Sequence, residues 1–153
     1  MKYIRALQAD ELEILTELYT YNDVNEMIKD NSVKIKSGII DIFCLYENSV
    51  LVGELRVMYE NEDKRFAVKD RRVYLYAFRI HKDFRGKGLG KYLLSNVINK
   101  LWKNGYTEFT VGVEDDNKKA EYIYKSFGFD ILIARIQEEY QGDKYEYNLY
   151  LKG

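Results

Sequence analysis

The sequence predicts an α/β fold in which about four helices flank one mixed sheet. Three observations carry this prediction. Short segments rich in aromatic and β-branched residues recur along the chain, and stretches with apolar residues at helical spacing lie between them. The third is a glycine-rich strand-to-helix turn, Arg85-Gly86-Lys87-Gly88-Leu89-Gly90-Lys91. The 153 residues suit one domain, 1–153, built on a single hydrophobic core.

Residues 3–7 fit a first strand, and Leu12, Leu15, Leu18 and Tyr19 fit a helix over 10–19 with Asp10 as its N-cap. A second short helix is expected over 22–29. Residues 40–46 and 49–58 read as two strands joined by a tight turn at Glu47-Asn48. Residues 59–72 are polar and charged, and are expected to form a long loop, either functional or a solvated connector. The next strand is 73–80 (VYLYAFRI). After the glycine turn, Leu89, Leu93, Val97 and Leu101 recur every four residues, and Tyr92, Ile98 and Trp102 widen the stripe of a helix. Residues 107–113 alternate Phe109, Val111 and Val113 on one face, as a strand does. Asp115-Asp116-Asn117 opens a helix carrying Ala120, Ile123, Tyr124 and Phe127, and Gly128 closes it as a left-handed cap. Two closing strands, 131–136 and 144–151, flank a turn at Gln141-Gly142-Asp143.

Composition sets limits. Lys and Arg number 24 against 25 Asp and Glu, so bulk electrostatics gives no support to a nucleic-acid partner. The one cysteine, Cys44, sits in an apolar run, which excludes an internal disulfide and fits an inert core thiol in a reduced, intracellular setting. The N-terminus lacks an apolar signal region, and no run approaches membrane-spanning length. The expectation is a soluble, cytoplasmic protein with no membrane partner and no metal.

The glycine turn carries the chemistry. A turn that opens a helix leaves backbone N–H groups free at the positive end of the helix dipole, where they bind phosphate. Arg85, Lys87 and Lys91 add positive charge. Small residues there let the backbone approach an anion closely. A Walker-type loop, GxxxxGK followed by Ser or Thr, fails on spacing and because Lys91 precedes Tyr92. A GxGxxG dinucleotide fingerprint fails because Lys91 stands where the third glycine belongs. A tight turn without a ligand remains open from this segment alone.

Together with Asn117-x-x-Ala120-x-x-x-Tyr124-Lys125-x-x-Gly128-Phe129, in the order strand, glycine turn, helix, strand, helix, the chain resembles the GNAT superfamily of N-acetyltransferases. The resemblance is strong over residues 73–129. A proline often found three residues before the loop arginine is Lys82 here. The resemblance implies a mostly antiparallel central sheet of about six to seven strands. It also implies that acetyl-CoA, as co-substrate, lies in a V-shaped opening between strands 73–80 and 107–113. Backbone groups around Phe78 and Ile80 would pair with the pantetheine arm, and an N–H near Ile80 would stabilise the oxyanion. The N–H groups of Arg85, Gly86, Lys87, Gly88, Leu89, Gly90 and Lys91 would hold the pyrophosphate. Asn117 would hydrogen-bond the pantetheine, a role compatible with capping its helix.

The same resemblance assigns Tyr124 as the acid that protonates the departing thiolate. A phenol stays protonated at neutral pH, with a reference pKa of about 10. A core aromatic on the helix stripe is the competing reading. Glutamates that mark the histone-acetylating and N-terminus-acetylating branches would stand at Arg72 and Gly112, and both are missing. Glu54 and Glu114 are the carboxylates expected near the cleft to serve as base, ahead of Tyr76 and His81. His81 reads as structural or solvent-exposed. Acidic residues cluster on both sides of the expected entry: Glu54, Glu60, Glu62 and Asp63, then Glu114, Asp115 and Asp116. They suggest a small cationic amine as acceptor, attacking acetyl-CoA directly in a ternary complex. The alternatives are a protein or peptide acceptor and a catalytically silent CoA-binding sensor domain. The resemblance leaves room for a homodimer.

Overall fold

The computed structural model describes residues 1–140 and 142–153; Gln141, part of the expected closing turn, lies outside the described residues. The strands β1 (Lys2–Ala6), β2 (Ile40–Glu47), β3 (Val50–Met58), β4 (Arg72–Ile80), β5 (Glu108–Val113), β6 (Ile131–Tyr140) and β7 (Asp143–Lys152) form one sheet in the order β1-β2-β3-β4-β5-β7-β6. Every neighbouring pair is antiparallel except β4 with β5. That parallel pair needs a crossover, which α2 (Leu89–Lys103) supplies.

Alternation along the strands decides what each face carries. Ile40, Ile42 and Cys44 of β2 pack under α1 (Val24–Lys36) and the 3-10 helix Leu12–Glu17, through Leu12, Leu15 and Met27. Phe43, Leu55, Val73 and Leu75 point the other way and meet Leu89, Leu93 and Val97 of α2, with Tyr124 of α3 (Lys118–Ser126) and Phe129. A third cluster joins Phe66, Ile136 and Leu149 at the β7 side of the α1-bearing face.

Several elements differ from expectation. The segment 10–19 forms only a 3-10 helix, and Asp10 does not cap it. Its N-cap is Glu11, whose carboxylate instead takes Gln8 N–H and Arg5 at 2.8 Å each. The second helix is longer than 22–29. Asp23 caps it by accepting from Glu26 N–H, and it runs on to Lys36. Buried Asn31 continues that helix face because its amide donates to Met27 C=O and its oxygen faces Arg56. The β2–β3 turn falls on Asn48 and Ser49, both at positive φ, so β3 starts at Val50. The long loop is a folded flap. Tyr59 donates to Asp41 at 2.6 Å, Phe66 is buried, and Thr110 Oγ1 donates to Phe66 C=O at 2.7 Å. The closing strands extend to Tyr140 and from Asp143 as an exposed hairpin. No helix among the described residues is long and apolar enough to cross a membrane.

Candidate active site

The site begins where two strands part. β4 and β5 pair only from Arg72 with Glu108 to Leu75 with Val111. β4 then bends: Ala77 adopts φ 49°, and Ala77 and Phe78 together oppose the single residue Leu55. A bulge of this kind re-aims a strand. His81 N–H donates to Val52 C=O at 2.8 Å, so by alternation the backbone groups of Phe78 and Ile80 face the opening toward β5. The Ile80 carbonyl already accepts Arg85 Nε at 2.9 Å, which ties the loop arginine to the strand end.

The glycine turn follows. Gly86 and Gly88 have φ of 79° and 78°, and no atom lies within 4 Å of where a Cβ would stand. Their conformation requires glycine, and the space above them is open. Gly88 caps α2 without any side-chain hydrogen bond, and the first helical bond runs from Tyr92 N–H to Gly88 C=O. The N–H groups of Leu89, Gly90 and Lys91 therefore have no acceptor within the helix. Gly90 is small for another reason: a Cβ there would meet Phe78 Cζ at 3.3 Å, so it sets how closely α2 approaches β4. Where a proline was expected, Lys82 opens a short 3-10 turn, and His81 Nδ1 accepts from Asp83 N–H at 3.1 Å. His81 thus shapes the entry to the loop.

Tyr124 stands beside this opening. Its ring is buried, tilted against Phe78 at 6.2 Å and edge-on to Phe129 at 5.7 Å. Burial, reinforced by nearby Tyr74, raises the phenol's pKa, which keeps it protonated at neutral pH. Among the described residues no group hydrogen-bonds its hydroxyl. Asn117 caps α3 by accepting from Ala120 N–H at 3.2 Å, which leaves its side-chain N–H groups for other partners. Cys44 is fully buried, and burial pushes its thiol up to about 12, so it is not a nucleophile.

On the opposite face of the sheet a groove of about 510 Å³ opens beside the split, lined by the flap, Tyr74, Tyr76, Ile136, Glu138 and Tyr147. Its floor explains Gly112. A Cβ there would lie 2.8 Å from the Tyr147 ring and 3.4 Å from the Tyr74 hydroxyl, so Tyr147 fills the volume a longer residue would take. Tyr147 donates to Glu138 at 2.6 Å. Burial pushes Tyr74 up to about 12, and its hydroxyl lies next to the Tyr147 ring over Gly112. Sequence reading missed this Tyr74–Tyr147–Glu138 row because the residues come from β4, β7 and β6, with no shared spacing.

The expected carboxylates sit differently. Glu54 is completely buried and paired with Arg56 at 3.1 Å and Arg79 at 3.3 Å, the setting of a counter-ion. Glu114 is exposed in the β5–α3 connection. Part of the acidic cluster is answered by arginine: besides Glu54, Asp63 pairs with Arg65, and Asp115 with Arg135, both at 2.7 Å. Arg72, at one of the missing-glutamate positions, bonds Glu108 at 3.0 Å at the closed end of the strand pair. A second cavity of about 490 Å³, bounded by Ile4, Phe43, Asn96 and Lys100, shares no residue with this site.

Residues 4–129 match the acetyltransferase (GNAT) family. An acetyltransferase of Yersinia pestis is 24% identical over 131 residues, covering 83% of this chain and 86% of that protein. Among solved structures, the spermidine/spermine N-acetyltransferase SpeG of Vibrio cholerae superposes with a TM-score of 0.76 at 17% identity, covering 98% of this chain and 91% of that one. The yncA protein of Salmonella typhimurium, solved with its cofactor acetyl-CoA, gives 0.72 at 20% identity, covering 99% and 92%.

Proposed function

We propose a reaction on one premise: the chain belongs to the acetyltransferase (GNAT) family. It moves acetyl from acetyl-CoA to a primary amine of a small molecule, cationic in solution, by direct attack in a ternary complex. The observation that carries this reading is the β4–β5 split, with the open glycine turn at one end and Tyr124 beside Phe78 at its centre.

Each residue then has a task. The N–H groups of the turn from Arg85 to Lys91 hold the pyrophosphate, where free helix-end donors and the dipole both favour an anion. Phe78 and Ile80 pair with the pantetheine arm as an added strand would, and an Ile80 N–H steadies the oxyanion. The free amide N–H of Asn117 reaches the same arm. The amine nitrogen attacks the thioester carbon, the C–N bond forms, and collapse of the oxyanion breaks the C–S bond. Tyr124 donates its proton to the leaving thiolate, and the amine's remaining proton restores it.

An alkylammonium with pKa about 10.4 must first lose a proton. The route proposed is Tyr74 to Tyr147 to Glu138, each hydroxyl accepting one proton and passing on its own, so Glu138 ends protonated. Glu114 takes up protons on the solvent side, and Glu54 holds the two arginines. A small acceptor is favoured over a protein N-terminus because Tyr147 fills the space above Gly112. The free thiol of Cys44 fits a cytoplasmic setting. The test is release of CoA thiol from acetyl-CoA over a panel of small amines and peptides, beside calorimetric titration with acetyl-CoA. Turnover of small amines supports the reading. Peptide-only turnover overturns the acceptor class, and binding without any turnover overturns the enzyme reading.

A further inference from the structure

On the α1-bearing face, at the β3–β4 end of the split, two guanidinium groups meet one buried carboxylate. Register places Tyr74, Tyr76 and Arg79 of β4 on one face, opposite Met58, Arg56 and Glu54 of β3. Arg56 is committed: its Nε donates to Glu54 at 3.1 Å, Nη2 donates to the Tyr21 hydroxyl at 2.9 Å, and Nη1 points to Asn31 Oδ1 at 3.4 Å. Arg79 is not. Its Nε lies 3.3 Å from Glu54 Oε1 without forming a hydrogen bond, and among the described residues no group accepts one from its guanidinium. Nη1 is buried and without a partner, while the side chain as a whole is 27% exposed. The guanidinium lies over the Tyr19 ring at 4.0 Å from its centroid, and Tyr21 meets Tyr19 edge-on. Stacking of this kind fixes the guanidinium plane and leaves its edge for a planar acceptor.

Two guanidinium groups therefore share one carboxylate. Tyr21, Cys44 and Tyr76, buried titratable groups against them, are all pushed upward by burial and stay neutral at pH 7. One cation is uncompensated beside the place where an acceptor must approach Phe78. A purely cationic amine meets repulsion there, whereas an acceptor with one negative charge completes the set.

Resting on the transferase reading above, and narrowing its cationic acceptor to one whose ammonium is accompanied by a carboxylate, we propose that Arg79 is a carboxylate-binding subsite and that the acceptor is an amino-acid-like amine. The carboxylate takes the guanidinium edge of Arg79, and the ammonium end turns to the Tyr74, Tyr147 and Glu138 side of the groove. CoA phosphates do not compete, because the α2 N-terminus lies across the sheet. A carboxylate matches the single surplus charge better than a doubly charged phosphate does.

The experiment uses amine pairs that differ only by the carboxylate: lysine with cadaverine, phenylalanine with phenethylamine, and β-alanine with ethylamine, with 2-aminoethylphosphonate as a phosphate-like arm. kcat/KM is measured for the wild type, Arg79→Gln and Arg79→Lys, the last keeping a cation against Glu54 should the neutral variant fold poorly. The expected result is at least a tenfold preference for the carboxylate member in one or more pairs. In both variants this preference collapses through a raised KM, with acetyl-CoA affinity unchanged. A wild-type preference for the decarboxylated member, a preference that survives Arg79→Gln, or a stronger response to the phosphonate would overturn the subsite. Should no pair turn over while acetyl-CoA binds, the transferase reading fails on its own. The subsite is then judged by calorimetry of the same amino acids with CoA present: binding lost in Arg79→Gln supports it, and binding absent from the wild type or unchanged in the variant overturns it.

Discussion

The two sides of the β4–β5 split are built from different materials. On the α2 side the proposed cofactor contacts are mostly backbone: two left-handed glycines, uncapped helical N–H groups and a strand edge freed by a bulge. On the α1 side the groove is made of side chains drawn from β3, β4, β6, β7 and the flap. Backbone recognition demands particular residues at fixed spacing, because conformation and close approach tolerate few alternatives. Side-chain recognition can draw each group from wherever the topology brings one near. The first side therefore leaves a motif, and the second leaves none.

This contrast can be broken by variants on each side, beginning with the largest effect. Gly88→Val forces a branched residue into φ 78° and fills the open space above the turn. It is expected to abolish acetyl-CoA binding, and the backbone strain should cost roughly 1–2 kcal/mol in denaturant unfolding. Calorimetric binding at wild-type strength by a folded Gly88→Val protein would refute the backbone account. Tyr124→Phe keeps the ring against Phe78 and Phe129 and removes the hydroxyl. kcat is expected to fall about a hundredfold with acetyl-CoA affinity nearly unchanged; steady-state kinetics at the wild-type rate would reduce Tyr124 to a core aromatic.

On the side-chain half, Glu138→Gln should lower kcat/KM about tenfold at pH 7. The direction with pH follows from the amine: as pH rises toward its pKa of about 10.4 the fraction needing deprotonation shrinks. The variant should therefore converge on the wild type in an alkaline pH–rate profile, and a pH-independent deficit would make Glu138 merely structural. The smallest effect is expected for Arg85→Ala. The side chain's Nε is already spent on the Ile80 carbonyl, so acetyl-CoA affinity should weaken only severalfold by calorimetry.

What could be read in advance follows the same division. The α2 stripe, the β4 and β5 strands and the glycine turn were legible because periodicity and glycine spacing are local signals. Tyr124 and Asn117 came forward through the resemblance to the GNAT family, and their roles are part of the proposed function. Residues 10–19 looked helical from their leucines, but Glu11 is drawn to Arg5 and Gln8 and leaves the start uncapped. The end of α1 was hidden because Asn31 breaks its apolar stripe and is buried through its bonds with Met27 and Arg56. Glu54 looked like a free carboxylate on a strand, since nothing local shows that Arg56 and Arg79 will close on it. Tyr147 and Glu138 lie on a hairpin whose exposed arms show no clean alternation.

The most direct measurement of the backbone account is an amide NMR titration of the wild-type protein with acetyl-CoA. The largest shifts are expected at the N–H groups of Phe78, Ile80 and Gly86 to Lys91, with α1 and the Phe66 flap little changed. Shifts centred on α1 and the groove, with the turn from Gly86 to Lys91 unmoved, would contradict it.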